Sequence, residues 1–127
     1  MFHIDSTVAV LEPGLGVTDV AVTPDLFERL HRDFEGFRGR WLMMRHAFEK
    51  SWSGWERHPA GEEIVYLLSG DVEMILERPE GESSMRLSEP GSYLVVPRNT
   101  WHTANVHAPA HMLFITPGEG TEHRPRR

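Results

Sequence analysis

The chain has 127 residues, of which 39% are hydrophobic and 25% are charged, and its formal net charge at pH 7 is −6. This length and composition indicate one folded domain with a single modest core, and they exclude a chain that is disordered throughout. The acidic charge disfavours nucleic-acid binding, no apolar run is long enough to span a membrane, and the absence of cysteine removes disulfides and thiolate chemistry.

The N-terminal part of the chain predicts one strand and one short helix. Residues 17–23 favour a strand. A helix is predicted from about Pro24 to Phe34, with Thr23 as its N-cap and proline at the first helical position, because apolar residues recur there at helical spacing. Gly36 and Gly39 are expected to end this helix.

From Trp41 onward the pattern is one of short strands separated by glycine and proline. The predicted strands are Trp41–Phe48, Glu63–Leu68, Val72–Glu77, Ser84–Leu87, Tyr93–Val96, Trp101–Val106 and Met112–Thr116. Gly70 and Asp71 are expected to form a turn, and the segment around Pro109 is expected to be a loop. The basic tail, residues 124–127, is expected to be solvated. Strands at this spacing favour an all-β sandwich or barrel.

The first segment with chemical character runs from Gly54 to Gly70. Glu56 and His58 are two residues apart, so on a strand both side chains lie on one face. A turn over residues 59–61 then reverses the chain, and an antiparallel return places Glu63 beside them. Three nitrogen and oxygen ligands would converge at this point.

A second segment, Gly91 to His102, is a strand, a proline-containing turn and a histidine that opens another strand. His102 is a candidate fourth ligand from a distant part of the sequence. Two imidazoles and two carboxylates with open positions suit Mn²⁺, Fe²⁺, Ni²⁺ or Zn²⁺, and ligand type alone does not choose among them.

These two segments resemble the two motifs of the cupin superfamily, written G-x5-H-x-H-x3,4-E-x6-G and G-x5-P-x-G-x2-H-x3-N. In the first, His58, Glu63 and Gly70 match. In the second, Gly91, Pro97 and His102 match. The chain is similar to small single-domain cupins of bacterial type.

Two departures from the motifs bear on the site. Glu56 stands where cupins usually have the first histidine, so its ligand role rests on strand parity and chemistry; the alternative is a rim carboxylate paired with Arg57 or Arg98. Asn99 replaces a glycine, and asparagine tolerates positive φ better than most residues.

The resemblance implies a fold and a layout. The fold is a double-stranded β-helix, the jelly-roll cupin barrel, with a short N-terminal helix. The single domain, 1–127, would divide into an N-terminal extension (1–40), a cupin core (41–118) and a C-terminal tail (119–127). Proteins of this kind are usually homodimers.

The function implied is that of a metal-binding cupin with one divalent ion, Zn, Fe, Mn or Ni, held by Glu56, His58, Glu63 and His102. It would be a mononuclear metal-dependent enzyme of oxygenase, isomerase or lyase type acting on a small organic molecule in the barrel. Glu63, or a displaced Glu56, is the candidate base. Without a metal the two carboxylates would repel each other, and one would tend to keep its proton.

The alternative is a non-catalytic small-ligand-binding or sensor cupin, either with a metal or metal-free. In either case we expect a cytoplasmic protein with no nucleic-acid or membrane partner, because the N-terminus does not read as a secretion signal and cysteine is absent.

Four further residues stay open at this level. His46 reaches the cavity if its strand face lines the barrel, but a packed or edge position is favoured. His123 would fold over an opening or lie on the surface, and the surface is favoured. Trp52 and Trp55 would form an apolar rim or pack in the core or an interface.

Overall fold

A computed structural model describes all 127 residues, and it confirms the all-β prediction. Nine strands pair antiparallel in one sheet. They are β1 (Thr7–Leu11), β2 (Val17–Ala21), β3 (Trp41–Phe48), β4 (Gly54–Arg57), β5 (Glu63–Arg78), β6 (Gly81–Leu87), β7 (Tyr93–Val96), β8 (His102–Thr116) and β9 (Glu122–Pro125). One helix, α1 (Leu26–Asp33), and a 3-10 turn over Glu35–Phe37 lie between β2 and β3. Neither helical segment has the length and apolarity needed to cross a membrane.

Two strands are longer than the sequence predicts. β5 and β8 each run unbroken, and they pair with each other from Ile64↔Ile115 to Leu76↔His102. The predicted turn at Gly70 and loop at Pro109 are wrong, because these residues face each other at an irregularity in the register. Proline has no N–H to donate to a ladder, and a bulge is a place where a strand tolerates it.

The N-terminal segment adds two strands and the helix to one end of the sheet. β1, which the sequence pattern did not indicate, pairs with both β2 and β3. The helix begins later than predicted, with Asp25 as N-cap and no side-chain capping bond, so Thr23 is not the cap. The helix packs on the sheet through Leu26 and Leu30, which are both buried. The division into extension, core and tail stays a prediction.

The C-terminal tail is an ordered part of the sheet rather than a free end, although Pro125 and Arg127 are exposed as the prediction of a solvated tail requires. Residues 122–125 form β9, which pairs with β4 at Glu56↔His123 and Trp55↔Arg124. The Arg124 guanidinium stacks over the rings of Trp101 and Trp55, at 4.5 and 5.2 Å from their centroids. Arg124 therefore packs on these two rings, and Arg126 donates to the carbonyl oxygens of Trp52 and Ala104.

The main core lies between β5 and the strands that flank it. It contains twelve buried apolar side chains, including Leu67, Met74 and Met112, which are fully buried. A second cluster of seven buried residues, including Val8 and Val10, lies beneath α1. The metal-site candidates lie at the edge of the main core, where β4 crosses the start of β8.

Candidate metal centre

Three strands bring the four predicted ligands together. Glu56 on β4 lies directly opposite His102, the first residue of β8. Glu63 is the first residue of β5, where it pairs with Val96 of β7. His58 follows β4 directly, and its carbonyl accepts the Asn99 amide at 3.0 Å. Asn99 has the positive φ, 57°, that its motif position requires.

One ligand atom from each of these four residues lies within 4.8 Å of every other, and the group could hold a metal ion. The Nε2 atom of His102 lies 3.1 Å from Glu63 Oε1 and 3.5 Å from Glu56 Oε1. The Nε2 atom of His58 lies 3.3 Å from Glu63 Oε2 and 3.4 Å from Glu56 Oε1. Two ligands bonded to one ion at about 2.1 Å are themselves roughly 3.0–3.4 Å apart, so this spacing fits a shared ion.

The buried polar atoms of the group do not satisfy one another. His58 Nε2, His102 Nε2 and Glu63 Oε1 are buried and have no hydrogen-bond partner, although they lie close together. Leaving a buried polar atom unpaired costs about 1–3 kcal/mol, and such atoms are rare in folded proteins. Their convergence is the arrangement expected of ligands aimed at a common centre.

The other ring nitrogens fix the tautomers of both histidines. His102 Nδ1 lies 3.0 Å from the Thr100 carbonyl oxygen, which can only accept. His58 Nδ1 lies 2.9 Å from Thr121 Oγ1, and that hydroxyl donates its own proton to the Gly118 carbonyl. Both Nδ1 atoms therefore donate, so that each imidazole would present its Nε2 lone pair to the centre once an ion replaces the Nε2 proton.

The two carboxylates differ in solvent exposure. Glu63 is 1% exposed, and its Oε2 accepts a 2.6 Å hydrogen bond from Thr116 Oγ1. The Glu56 side chain is 24% exposed, and its Oε2 lies 3.4 Å from His123 Nε2. Glu56 is therefore the carboxylate that a molecule in the cavity can reach.

The charges of the group are strongly coupled. Burial lowers the pKa of both histidines, but the adjacent carboxylates outweigh it and raise the pKa of His58 to about 9 and that of His102 to about 10. Burial raises the pKa of Glu56 and Glu63, but the neighbouring imidazoles outweigh it and hold both pKa values below the usual range. The expectation that one carboxylate keeps its proton without a metal is therefore wrong, because the two imidazoles balance the pair.

These shifts predict how the metal-free protein responds to pH. A histidine whose pKa is raised on folding stabilises the native state fully below its unfolded pKa, about 6.5, and loses that contribution as pH rises through the folded pKa. We expect the Tm of the protein in a chelator to fall between pH 7 and pH 9, with a loss of stability on the order of 1 kcal/mol or more. A Tm that is constant or rises over this range would contradict the coupling.

The structure also places the four residues that the sequence left open. His46 faces the cavity rather than an edge; its ring lies 5.3 Å from the Phe114 ring and 5.8 Å from the Phe48 ring. Trp52 lines the cavity and packs against the core, whereas Trp55 lies under Arg124 outside it.

His123 lies on the surface, as the sequence favoured, and also at the cavity. Its side chain is 70% exposed, yet it lines the cavity and contacts Glu56, because β9 pairs with β4. The sequence signal that could have indicated this contact is the tail segment 120–125, whose mixture of side chains is more varied than that of a typical solvated tail.

A cavity of about 730 Å³ opens in front of the four side chains. Glu56, His58 and Glu63 form part of its wall, and Thr121 and His123 of the C-terminal segment form another part. The helix α1 contributes Leu30 and the half-exposed ring of Phe27. The rest of the lining is largely apolar, so a molecule bound here would be held between the candidate ligands and an apolar wall.

Comparison with known protein families identifies the family to which the chain belongs. The profile described as a cupin domain, Cupin_2, matches residues 44–116. The match covers more than half of the chain, so the chain belongs to the cupin domain family. Curated proteins give no significant sequence match.

Solved structures agree on the fold. The chain is similar to hydroquinone 1,2-dioxygenase from Sphingomonas sp. TTNP3 with 4-hydroxybenzoate bound, at 20% identity and a TM-score of 0.52, covering 60% of this chain and 58% of that one. It is also similar to an oxalate oxidase, at 19% identity and a TM-score of 0.54, covering 64% of this chain and 44% of that one. A third similar structure is an oxalate decarboxylase, at 18% identity and a TM-score of 0.53, with 67% and 23% covered. The chain thus spans less than two thirds of each of these proteins, and the likeness establishes a jelly-roll cupin fold.

Proposed function

We propose that this cupin binds one divalent metal ion through Glu56, His58, Glu63 and His102 and uses it to transform a small organic molecule. The reaction class is that of a mononuclear oxygenase, isomerase or lyase. The dioxygenase, oxidase and decarboxylase activities named for the similar structures fall within this range. The ion is zinc, iron, manganese or nickel.

The observation that carries the proposal is the convergence of unpartnered atoms. Two imidazole nitrogens and one carboxylate oxygen are buried, have no hydrogen-bond partner and lie 3.1–3.5 Å from neighbouring ligand atoms. A divalent ion would satisfy all of them at once, and its charge would balance the two carboxylates. A bound ion supplies a Lewis-acid centre with open positions for an oxygen-bearing molecule.

The two carboxylates and His123 would have different roles around the ion. Glu63 is buried and fixed by Thr116, which suits a permanent ligand. Glu56 is partly exposed and faces the cavity, so of the two candidate bases it is the one that, once displaced from the ion, can take a proton from a bound molecule. His123, which lies 3.4 Å from Glu56, is placed to receive that proton.

The proposal is tested by metal loading followed by a screen for turnover. Protein loaded separately with Fe²⁺, Mn²⁺, Ni²⁺ and Zn²⁺ would be incubated with candidate oxygen-bearing substrates, with and without O₂. We expect turnover with at least one ion, and we expect Glu56→Gln to lose turnover even when it is compared with the unchanged protein at equal metal occupancy. Saturable ligand binding without turnover under any ion would instead support the sensor alternative.

Thr121 gives a prediction about ligand orientation. Thr121→Val removes the acceptor for His58 Nδ1 while keeping the shape of the side chain. Loss of such a partner typically weakens metal affinity about 10–100-fold, and we expect a change of this size in a competitive chelator titration. Thr100→Val is the matched control, because Thr100 contacts His102 through its main-chain carbonyl. Equal effects of the two substitutions would count against the orienting role.

Two features of the proposal come from the sequence and the family resemblance. A homodimer and a cytoplasmic location stay predictions. Analytical ultracentrifugation of the metal-loaded protein measures the first directly.

A further inference from the structure

One part of the cavity wall is aromatic. It is formed by His46, Phe48, Trp52 and Phe114, which we call the aromatic wall. Neighbouring rings in it are 5.3–6.1 Å apart between centroids, and the Trp52 ring lies 6.1 Å from that of His102. The aromatic wall therefore runs without a break to one of the candidate metal ligands.

No side chain that lines the cavity carries a permanent positive charge; its basic residues are the imidazoles of His31, His46, His58 and His123. No lysine or arginine is among its lining residues. The arginines of the neighbouring strands are engaged on the outer face: Arg57 pairs with Glu122 and stacks over Trp101, and Arg124 pairs with Glu77. A divalent ion would already be neutralised by Glu56 and Glu63, so each negative charge on a ligand would remain uncompensated in an apolar site.

The size of the cavity points in the same direction. A volume of about 730 Å³ lies within the range that holds ring-containing molecules, and it greatly exceeds the needs of a two-carbon acid.

From these observations we infer that the site selects a molecule with an aromatic ring joined to a metal-binding oxygen group and carrying at most one negative charge. Small dicarboxylates are disfavoured. This inference rests on the proposed function, because the oxygen group is anchored by the metal while the ring packs on the aromatic wall.

Three probes that share one chelating unit separate the contributions of ring and charge. Pyruvate, benzoylformate and oxalate each present two oxygens on adjacent carbons; the rest of the molecule is a methyl group, a phenyl ring and a second carboxylate oxygen, respectively. Affinities would be measured by isothermal titration calorimetry on metal-loaded protein. We expect benzoylformate to bind at least about tenfold more tightly than either pyruvate or oxalate, because only its ring packs on the aromatic wall.

Two variants show whether the ring uses the aromatic wall. Phe48→Leu keeps an apolar side chain, and it should reduce the advantage of benzoylformate over pyruvate by about threefold or more. Tyr93→Leu is the control, because Tyr93 is 60% exposed and lies outside the cavity, and it should leave the advantage unchanged. Melting curves establish that both variants are folded.

The outcomes distinguish this inference from the function on which it rests. Metal uptake is measured first, and failure to take up any ion overturns the proposed function. Oxalate binding as tightly as benzoylformate to the metal-loaded protein, or an advantage that survives Phe48→Leu intact, overturns the inference alone. Benzoylformate binding to the metal-loaded protein no more tightly than pyruvate would overturn it as well.

Discussion

Replacing His102 with alanine should yield a folded protein that does not retain metal. His102 is fully buried, and its Nε2 atom lies within 3.5 Å of both carboxylates. Its loss removes one ligand and leaves Glu56 and Glu63 as two negative charges facing one imidazole. Because loss of an orienting partner alone costs 10–100-fold, loss of a ligand should weaken metal affinity by at least about 100-fold.

The measurement is metal content per chain after loading and desalting, together with affinity from chelator competition. His58→Ala should behave in the same way, which guards against a misfolded His102 variant. His107→Ala is the matched control, because His107 is exposed and contacts only Glu73 on the surface. Metal retention by both ligand variants at the wild-type level would remove the site that we describe.

Among substitutions of glycine by alanine in this chain, Gly70→Ala should cause the largest loss of folding stability. Gly70 has a φ of +102°, and a Cβ atom there would meet the Pro109 carbonyl oxygen and lie 2.5 Å from Ala110 Cα. These are backbone atoms of the partner strand, so they cannot rotate away. Strain from the positive φ and overpacking together should cost roughly 3–5 kcal/mol.

Gly81 provides the control that separates these two contributions. It also has a positive φ, +121°, but a Cβ atom there would meet nothing within 4 Å. Gly81→Ala should therefore show only the conformational cost, about 1–2 kcal/mol. Denaturant unfolding of both variants gives the difference, and equal losses of stability would mean that β5 and β8 do not approach each other as closely as the structure has them.

The metal-site geometry was accessible from the sequence because it depends on spacing. Glu56 and His58 are two apart on an extended segment, and the turn that follows returns the chain as an antiparallel strand. Those rules place Glu63 beside them without knowledge of the fold. His102 required the family resemblance as well, because nothing local connects it to a segment more than forty residues earlier.

The continuity of β5 and β8 was not accessible in the same way. Glycine at 70 and proline at 109 normally interrupt strands, and only their mutual placement across the ladder allows both strands to continue. A local pattern gives no information on such a pairing. The same limit explains β9, because four mostly polar residues that include one arginine and a proline resemble solvated chain, and only the fold places Arg124 over the rings of Trp55 and Trp101.

The cavity side chains show a third limit. His46 alternates in phase with apolar neighbours, which is equally typical of a core position and of a cavity wall. Its position in the aromatic wall depends on Phe114, which reaches it from β8. Sequence parity fixes the face of a strand, whereas the open space beside that face is a property of the whole fold.

Anomalous diffraction from crystals of the metal-loaded protein tests the central claim most directly. Data collected on both sides of the metal absorption edge should give one strong difference peak per chain, about 2.0–2.3 Å from His58 Nε2 and His102 Nε2 and within bonding distance of Glu56 and Glu63. A map without a peak among these four side chains, from protein shown to be folded and exposed to excess metal, would contradict the account.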